Sequence, residues 1–334
     1  MRLYRNNPNL RQLLLHFLAA TLPFLLAAGA AACNEGQRPA QRPPAALRVV
    51  TTTTIIADWA RQVAGDRADV VSLVPNTVDP HGFAPGPRDV AKVAEAGLVL
   101  TVGLNLEAGW MDKLLKNAAA DPARVLALGD HADPIPVQGQ PDHGEAGEAE
   151  GKDGHGPNDP HFWQDPLRVK KVLPVIAARL ALLDPAGAAV YQARAADYSR
   201  QLDDLHRWAE QQFQAIPKER RLLVTSHEAF GYLAHAYGFR LVGTVIPGGA
   251  TTREPSAAEL ARLVREIKSY NVPAVFAETI LNDRLARRIA DEAGVRIVTD
   301  LYSDALGENG SDADTYLGMA RHNVRVISEN LKSR

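Results

Sequence analysis

Short apolar runs rich in β-branched residues recur along the chain, separated by stretches in which apolar residues return every three or four positions. In the first half the runs are Leu47 to Thr53, Val70 to Val74, Leu98 to Val102 and Arg124 to Leu128. In the second half they are Arg221 to Thr225, Arg240 to Ile246, Ala274 to Ala277 and Val295 to Val298. Helical periodicity occupies Ala57 to Ala64, Pro87 to Ala96 and Leu106 to Asn117, then Ala229 to Tyr237, Ser256 to Ser269 and Asp283 to Ala293. Strands alternating with helices of this length form βαβ units, because adjacent parallel strands need a crossover that packs back on the sheet. The expected fold is therefore α/β, with two βα-sandwich lobes, each built on a mostly parallel four-stranded sheet. Similarity between the halves is faint, although the first strand of each is followed by a comparable helix (IIADWARQVAG and HEAFGYLAHAYG).

Between the two sets, 184–216 reads as one long helix. Pro185 suits a first turn, and Tyr191, Ala195, Tyr198, Leu202, Leu205 and Trp208 recur at spacings of three and four. At 1.5 Å per residue it would span about 45 Å, a rigid connector between the lobes. The segment 131–159 has no periodicity, is rich in Gly, Asp and Glu, and carries His143 and His155. A loop of that length in a compact domain is functional or disordered. The expected layout is a leader at 1–32, a tether at 33–46, an N-terminal lobe at 47–183 containing the acidic loop, the linking helix at 184–216, and a C-terminal lobe at 217–334.

Residues 1–32 contain Arg2, Arg5 and Arg11, no acid, and an apolar run ending in Gly29-Ala30-Ala31-Ala32 directly before Cys33, the single cysteine of the chain. That is the layout of a secretory signal peptide, and its end resembles a bacterial lipobox, in which the cysteine becomes a lipid-modified N-terminus. Ala30 stands where a leucine is usual, so a cut after Ala32 with Cys33 incidental, or an uncut anchor, stays open. Removing the leader leaves 34 basic against 39 acidic residues, a net charge of −5. Residues 34–46 (NEGQRPAQRPPAA) suit a spacer that holds a domain off a membrane. The expected location is the periplasm or the outer face of the cell membrane.

Composition narrows the chemistry. A 46% hydrophobic, 23% charged chain of 334 residues is neither disordered nor a polytopic membrane protein, and a net charge of −2 gives no reason to expect a nucleic-acid partner. One cysteine excludes a disulfide framework and a thiolate-based zinc site, so the ten histidines become the ligand inventory. Asp-Pro-His occurs twice, ending in His81 and His161. Proline restricts the backbone before each imidazole, as a preorganised metal site requires. His227 follows the strand RLLVTS, and Asp304 follows the last strand. Ligands of open α/β sheets bind beyond the carboxyl ends of the strands, so two side chains from each half would face one another across an interdomain cleft. Three imidazoles and one carboxylate suit zinc, with manganese less favoured. Asp300 competes with Asp304 for the carboxylate position, and Glu228 is either a second oxygen ligand or a helix-start acid. Asp79, Asp159 and Asp165 could orient imidazoles, while Phe83 and Trp163 would wall the cleft.

Over essentially the whole mature length the chain resembles the zinc- and manganese-binding family of ABC-transporter solute-binding proteins, many of them lipoproteins. The resemblance rests on DPHGFAPGPRD at 79–89, DPHFWQDP at 159–166, TSHEAFGYLAHAYG at 225–238, FAE at 276–278, LYSDALG at 301–307 and TYLGMARHN at 315–323. It implies metal ligands at His81, His161, His227 and Asp304, a Zn2+ cargo with Mn2+ as the alternative, and delivery to a membrane permease, with a periplasmic metallochaperone as a further candidate partner. It also implies a monomer that is a receptor and not an enzyme. The third ligand of this family is commonly histidine in zinc receptors and glutamate in many manganese receptors, so His227 favours zinc. Two departures stand out: Ala84-Pro85-Gly86-Pro87 replaces the usual Glu-Pro-Thr-Pro-like segment, and the acidic loop holds only two histidines. The competing class is a zinc-dependent hydrolase, but four protein ligands leave no open position for water. No His-Glu-x-x-His, nucleophile elbow or P-loop occurs.

Overall fold

The computed structural model describes residues 47–137, 157–248 and 251–332. The leader, Cys33, the tether, His143 and His155 lie outside the described residues. All eight apolar runs are strands: β1 Leu47–Thr51, β2 Ala68–Ser72, β3 Leu98–Thr101, β4 Val125–Ala127, β5 Leu222–Thr225, β6 Arg240–Thr244, β7 Ala274–Glu278 and β8 Arg296–Leu301. They form two parallel sheets in the same order, β2-β1-β3-β4 and β6-β5-β7-β8. The central strands β3, β5 and β7 are buried along their whole length, which is why they read as continuous apolar runs instead of alternating ones.

The helices are α1 Thr54–Ala64, α2 Pro87–Ala94, α3 Met111–Asn117, α4 Pro166–Leu183, α5 Ala188–Gln214, α6 Gly231–Tyr237, α7 Ala257–Tyr270, α8 Arg284–Ala293 and α9 Tyr316–Leu331. Their ends follow local chemistry. Thr53 caps α1 by accepting the Ile56 N–H at 3.3 Å, and Ser256 with Glu259 forms a reciprocal capping box on α7. The connector begins at Ala188, later than the pattern suggests, because Pro185–Gly187 forms a separate 3-10 turn.

The connector is not the sole element common to both lobes. Tyr191, Tyr198, Leu202 and Leu205 of α5 lie in the first lobe's core with Ile55, Trp59 and Leu173. Ala209 and Phe213 of α5 lie in the second, with Leu223, Phe230 and Phe276. Helix α9 repeats the pattern, placing Tyr316 and Met319 in the first core and Val324, Ile327 and Leu331 in the second. The edge of Tyr316 meets Trp59 with ring centroids 5.5 Å apart. Two long helices, each buried at both ends, resist wide hinge motion. Among the described residues no helix is long and apolar enough to cross a membrane.

Candidate metal centre

Each Asp-Pro-His segment folds into the same turn. Asp79 Oδ1 accepts the His81 N–H at 2.9 Å, and Asp159 Oδ1 accepts the His161 N–H at 2.9 Å. The second turn goes further: Asp159 Oδ1 lies 2.8 Å from His161 Nδ1, which assigns the proton to Nδ1 and turns Nε2 inward. Asp79 instead uses Oδ2 to accept the Thr251 hydroxyl at 2.5 Å, tying the two lobes together beside His81. Gly231 at the start of α6 lets Asp159 approach, since a Cβ there would lie 2.4 Å from Asp159 Oδ2.

His227 follows β5 and is fixed from the neighbouring strand. Glu278, the last residue of β7, accepts the His227 N–H through Oε1 at 3.0 Å and lies 2.5 Å from Nδ1 through Oε2. Asp304 follows β8 and is positioned from the other lobe: the Ser303 carbonyl accepts the Trp163 indole N–H at 2.7 Å and the Gln164 amide at 3.2 Å. Trp163 also meets the His161 ring edge-on, with centroids 5.2 Å apart, so one buried side chain touches both an imidazole and the backbone beside the carboxylate.

These supports converge four side chains on one point. His161 Nε2 lies 3.3 Å from His81 Nε2. Asp304 Oδ2 lies 3.7 Å from His81 Nε2 and 3.2 Å from His227 Nε2, and Oδ1 lies 3.6 Å from His161 Nε2. One donor atom from each of the four falls within 4.8 Å of the others. A tetrahedral zinc with bonds of about 2.0–2.1 Å holds its donors about 3.3 Å apart, so the spacing fits such an ion. His227 Nε2 and both Asp304 oxygens are buried without a hydrogen bond. An unsatisfied buried polar atom costs about 1–3 kcal/mol, and a cation at the centre would satisfy all three.

Electrostatics couples the carboxylate to the imidazoles. Burial alone would raise the Asp304 carboxyl, but the imidazoles, His227 foremost, hold it below the usual carboxylate range. Burial alone would lower His227, yet Glu278 and Asp304 hold it well above the ordinary histidine value.

The remaining candidates fall elsewhere. The Asp300 carbonyl accepts from His322 Nε2 at 2.8 Å, away from the cluster. Glu228 accepts the Gly248 N–H at 3.2 Å, and Asp165 caps α4 by accepting the Leu167 N–H at 2.9 Å. Phe83 packs edge-on against Trp110, whose indole holds the Pro80 carbonyl at 2.8 Å. Sequence reasoning assigned no role to Glu278. Its signal was a carboxylate ending an otherwise apolar, fully buried strand, AVFAE.

Comparison with known proteins identifies the family. Residues 49–330 match the family model described as ZnuA, zinc-uptake complex component A periplasmic. The chain is 33% identical over 308 residues to the manganese-binding lipoprotein MntA of Halalkalibacterium halodurans, covering 92% of this chain and 95% of that protein. It is 32% identical over 323 residues to the manganese ABC transporter substrate-binding lipoprotein PsaA of Streptococcus pneumoniae, covering 96% and 97%. Among solved structures, the periplasmic zinc binding protein TroA from Treponema pallidum superposes with a TM-score of 0.75 at 30% identity, covering 86% of this chain and all of that one.

Proposed function

Because the chain belongs to the zinc-uptake component A family of metal ABC-transporter substrate-binding proteins, we propose that its cargo is zinc, held by His81, His161, His227 and Asp304 and handed to a membrane permease. The observation that carries this reading is the donor set, three imidazole nitrogens and one carboxylate at tetrahedral spacing. Imidazole-rich, four-donor sites suit zinc, whereas manganese favours more oxygen donors and higher coordination. The manganese-binding names of MntA and PsaA keep manganese as the second reading. With all four positions filled by protein there is no place for an activated water, which favours carriage over hydrolysis. The leader and Cys33 support a lipid-anchored protein outside the cytoplasmic membrane.

Competition between zinc and manganese tests the cargo. Zinc outranks manganese at most nitrogen sites, so the informative comparison is with a variant. The wild type should hold zinc in the presence of excess manganese, and His227→Glu combined with Glu278→Gln should narrow the zinc-to-manganese affinity ratio by about tenfold or more. A wild type that binds manganese as tightly as zinc would assign the other cargo.

Capture is coupled to a proton. Glu278 and Asp304 favour the protonated form of His227, and the imidazoles favour the ionised form of Asp304. Zinc must displace the His227 proton, so lowering pH weakens binding and raising pH strengthens it, by up to about tenfold per unit, until the pKa of His227 is passed. Titration calorimetry at pH 7 in buffers of different ionisation enthalpy should report proton release on zinc binding. A binding enthalpy independent of buffer would contradict this.

A further inference from the structure

The turn between α4 and α5, Leu180 to Val190 (LALLDPAGAAV), contains one ionisable residue, Asp184. That charge is fully engaged: Arg67 donates to it through Nε at 2.8 Å and Nη2 at 2.9 Å, and the Tyr191 hydroxyl donates at 2.5 Å. Gly187 permits this clamp, because a Cβ there would lie 2.4 Å from both Arg67 Nε and Asp184 Oδ2. Around the neutralised pair the tip is apolar and uncovered, with Leu182 73%, Leu183 45% and Val190 43% exposed. The other large hydrophobic side chain exposed among the described residues, Tyr270, carries the Arg240 guanidinium 4.0 Å above its ring. Solvent-facing aliphatic surface is therefore concentrated at this tip.

The tip lies where the chain enters the folded body. Leu47 pairs in register with Ala68, the residue after Arg67, so the entry point is one strand spacing, about 4.8 Å, from the strand whose preceding residue clamps the tip. From here β1 and β2 run away toward the end that carries His81, so the metal cluster sits at the opposite end of the first sheet. Cys33 lies fourteen residues before Leu47. That number of residues sets a covalent reach of at most about 50 Å. A lipid on Cys33 would therefore be attached at this end of the body, one strand length farther from the metal end, and an apolar contact at the tip would decide which end faces the bilayer.

We propose that Leu182, Leu183 and Val190 rest on the membrane surface to which the chain is anchored, keeping the metal cleft turned toward solution during capture. The proposal rests on the lipid-anchor reading of Cys33. An anchored tip meets the bilayer at high effective concentration, so a small apolar contact is sufficient to orient it. A pair of copies would need roughly 1,200 Å2 or more of buried surface, far beyond what three aliphatic side chains supply.

The test uses the chain from Cys33, joined through its single thiol to a maleimide lipid in phosphatidylcholine–phosphatidylglycerol vesicles. This chemical anchor separates the proposal from the question of lipidation in the cell, and zinc titration of the same samples separates it from the cargo assignment. In vesicles with brominated acyl chains, Leu182→Trp should lose most of the fluorescence that its new indole adds. Arg88→Trp, at the exposed start of α2 on the metal side, should lose none. Leu182→Trp with Leu183→Glu and Val190→Glu should regain its emission. Equal quenching at both positions, or none at position 182, would overturn the proposal. So would a dimer in light scattering that Leu182→Glu with Leu183→Glu dissolves, since the face would then be an interface between copies.

Discussion

Replacing His227 by alanine is expected to weaken zinc binding by about two orders of magnitude or more. Four-ligand zinc sites bind with roughly 10–16 kcal/mol, so removing one of four donors costs about 3 kcal/mol, or roughly a hundredfold. The loss should exceed that share here. Without the imidazole, buried Glu278 Oε2 loses its partner at 2.5 Å, and the carboxylate keeps only the backbone N–H of position 227 of the two contacts it makes to this residue. His81→Ala should show a comparable loss of affinity with less effect on the metal-free fold, because His81 stands on the more open side of the cluster. Zinc-induced stabilisation in thermal melts reads both effects, since an ion that binds only the native state raises the melting temperature by mass action. A His81→Ala protein with wild-type zinc affinity would remove His81 from the donor set.

The largest expected effect on stability lies at Glu107. This buried carboxylate accepts the Thr52 hydroxyl at 2.6 Å, the Val102 N–H at 2.7 Å and the Gly103 N–H at 3.0 Å. It thereby binds the ends of β1 and β3 at the switch point of the first sheet. Glu107→Ala leaves the buried Thr52 hydroxyl and Val102 N–H unpaired, at about 1–3 kcal/mol each, together with the half-buried Gly103 N–H, and is expected to cost about 3–5 kcal/mol in denaturant unfolding. Glu107→Gln retains an acceptor oxygen and should cost less than half as much. The same loop carries Trp110, whose indole holds the Pro80 carbonyl beside His81, so Glu107→Ala should also reduce zinc affinity. Equal unfolding free energies for the wild type and Glu107→Ala would contradict this account.

The sheets were legible in the sequence because their central strands are buried on both faces, and the pattern of β-branched runs survives without help from context. Helices α4 and α9 were harder to read. Helix α4 carries Pro174 in its interior and α9 buries Asn323 and Ser328 on its core face, so apolar periodicity alone bounds α4 loosely and does not mark α9. Apolar periodicity alone therefore does not reveal the second helix joining the lobes, which together with α5 restricts hinge motion. The four cluster residues could be read from strand ends and repeated Asp-Pro-His segments, both of which are local signals. The groups that hold them could not. Glu278 reaches His227 across fifty-one residues, and Trp163 reaches Ser303 across 140. Such partners are set by sheet order and lobe packing, which only the folded chain displays.

This division bears on release. The four cluster residues come from both lobes, and their supports cross between lobes at Trp163–Ser303, Asp79–Thr251 and Asn76–Gly307. With α5 and α9 packed into both cores, loosening these local contacts separates the donors at less cost than tilting whole lobes.

Zinc K-edge X-ray absorption on the zinc-loaded protein tests the donor set most directly. The account predicts four nitrogen or oxygen neighbours at about 2.0–2.1 Å, with outer-shell scattering that counts three imidazoles, falling to two in His81→Ala. Six-coordinate zinc, a sulfur neighbour, or an imidazole count unchanged in His81→Ala would contradict it.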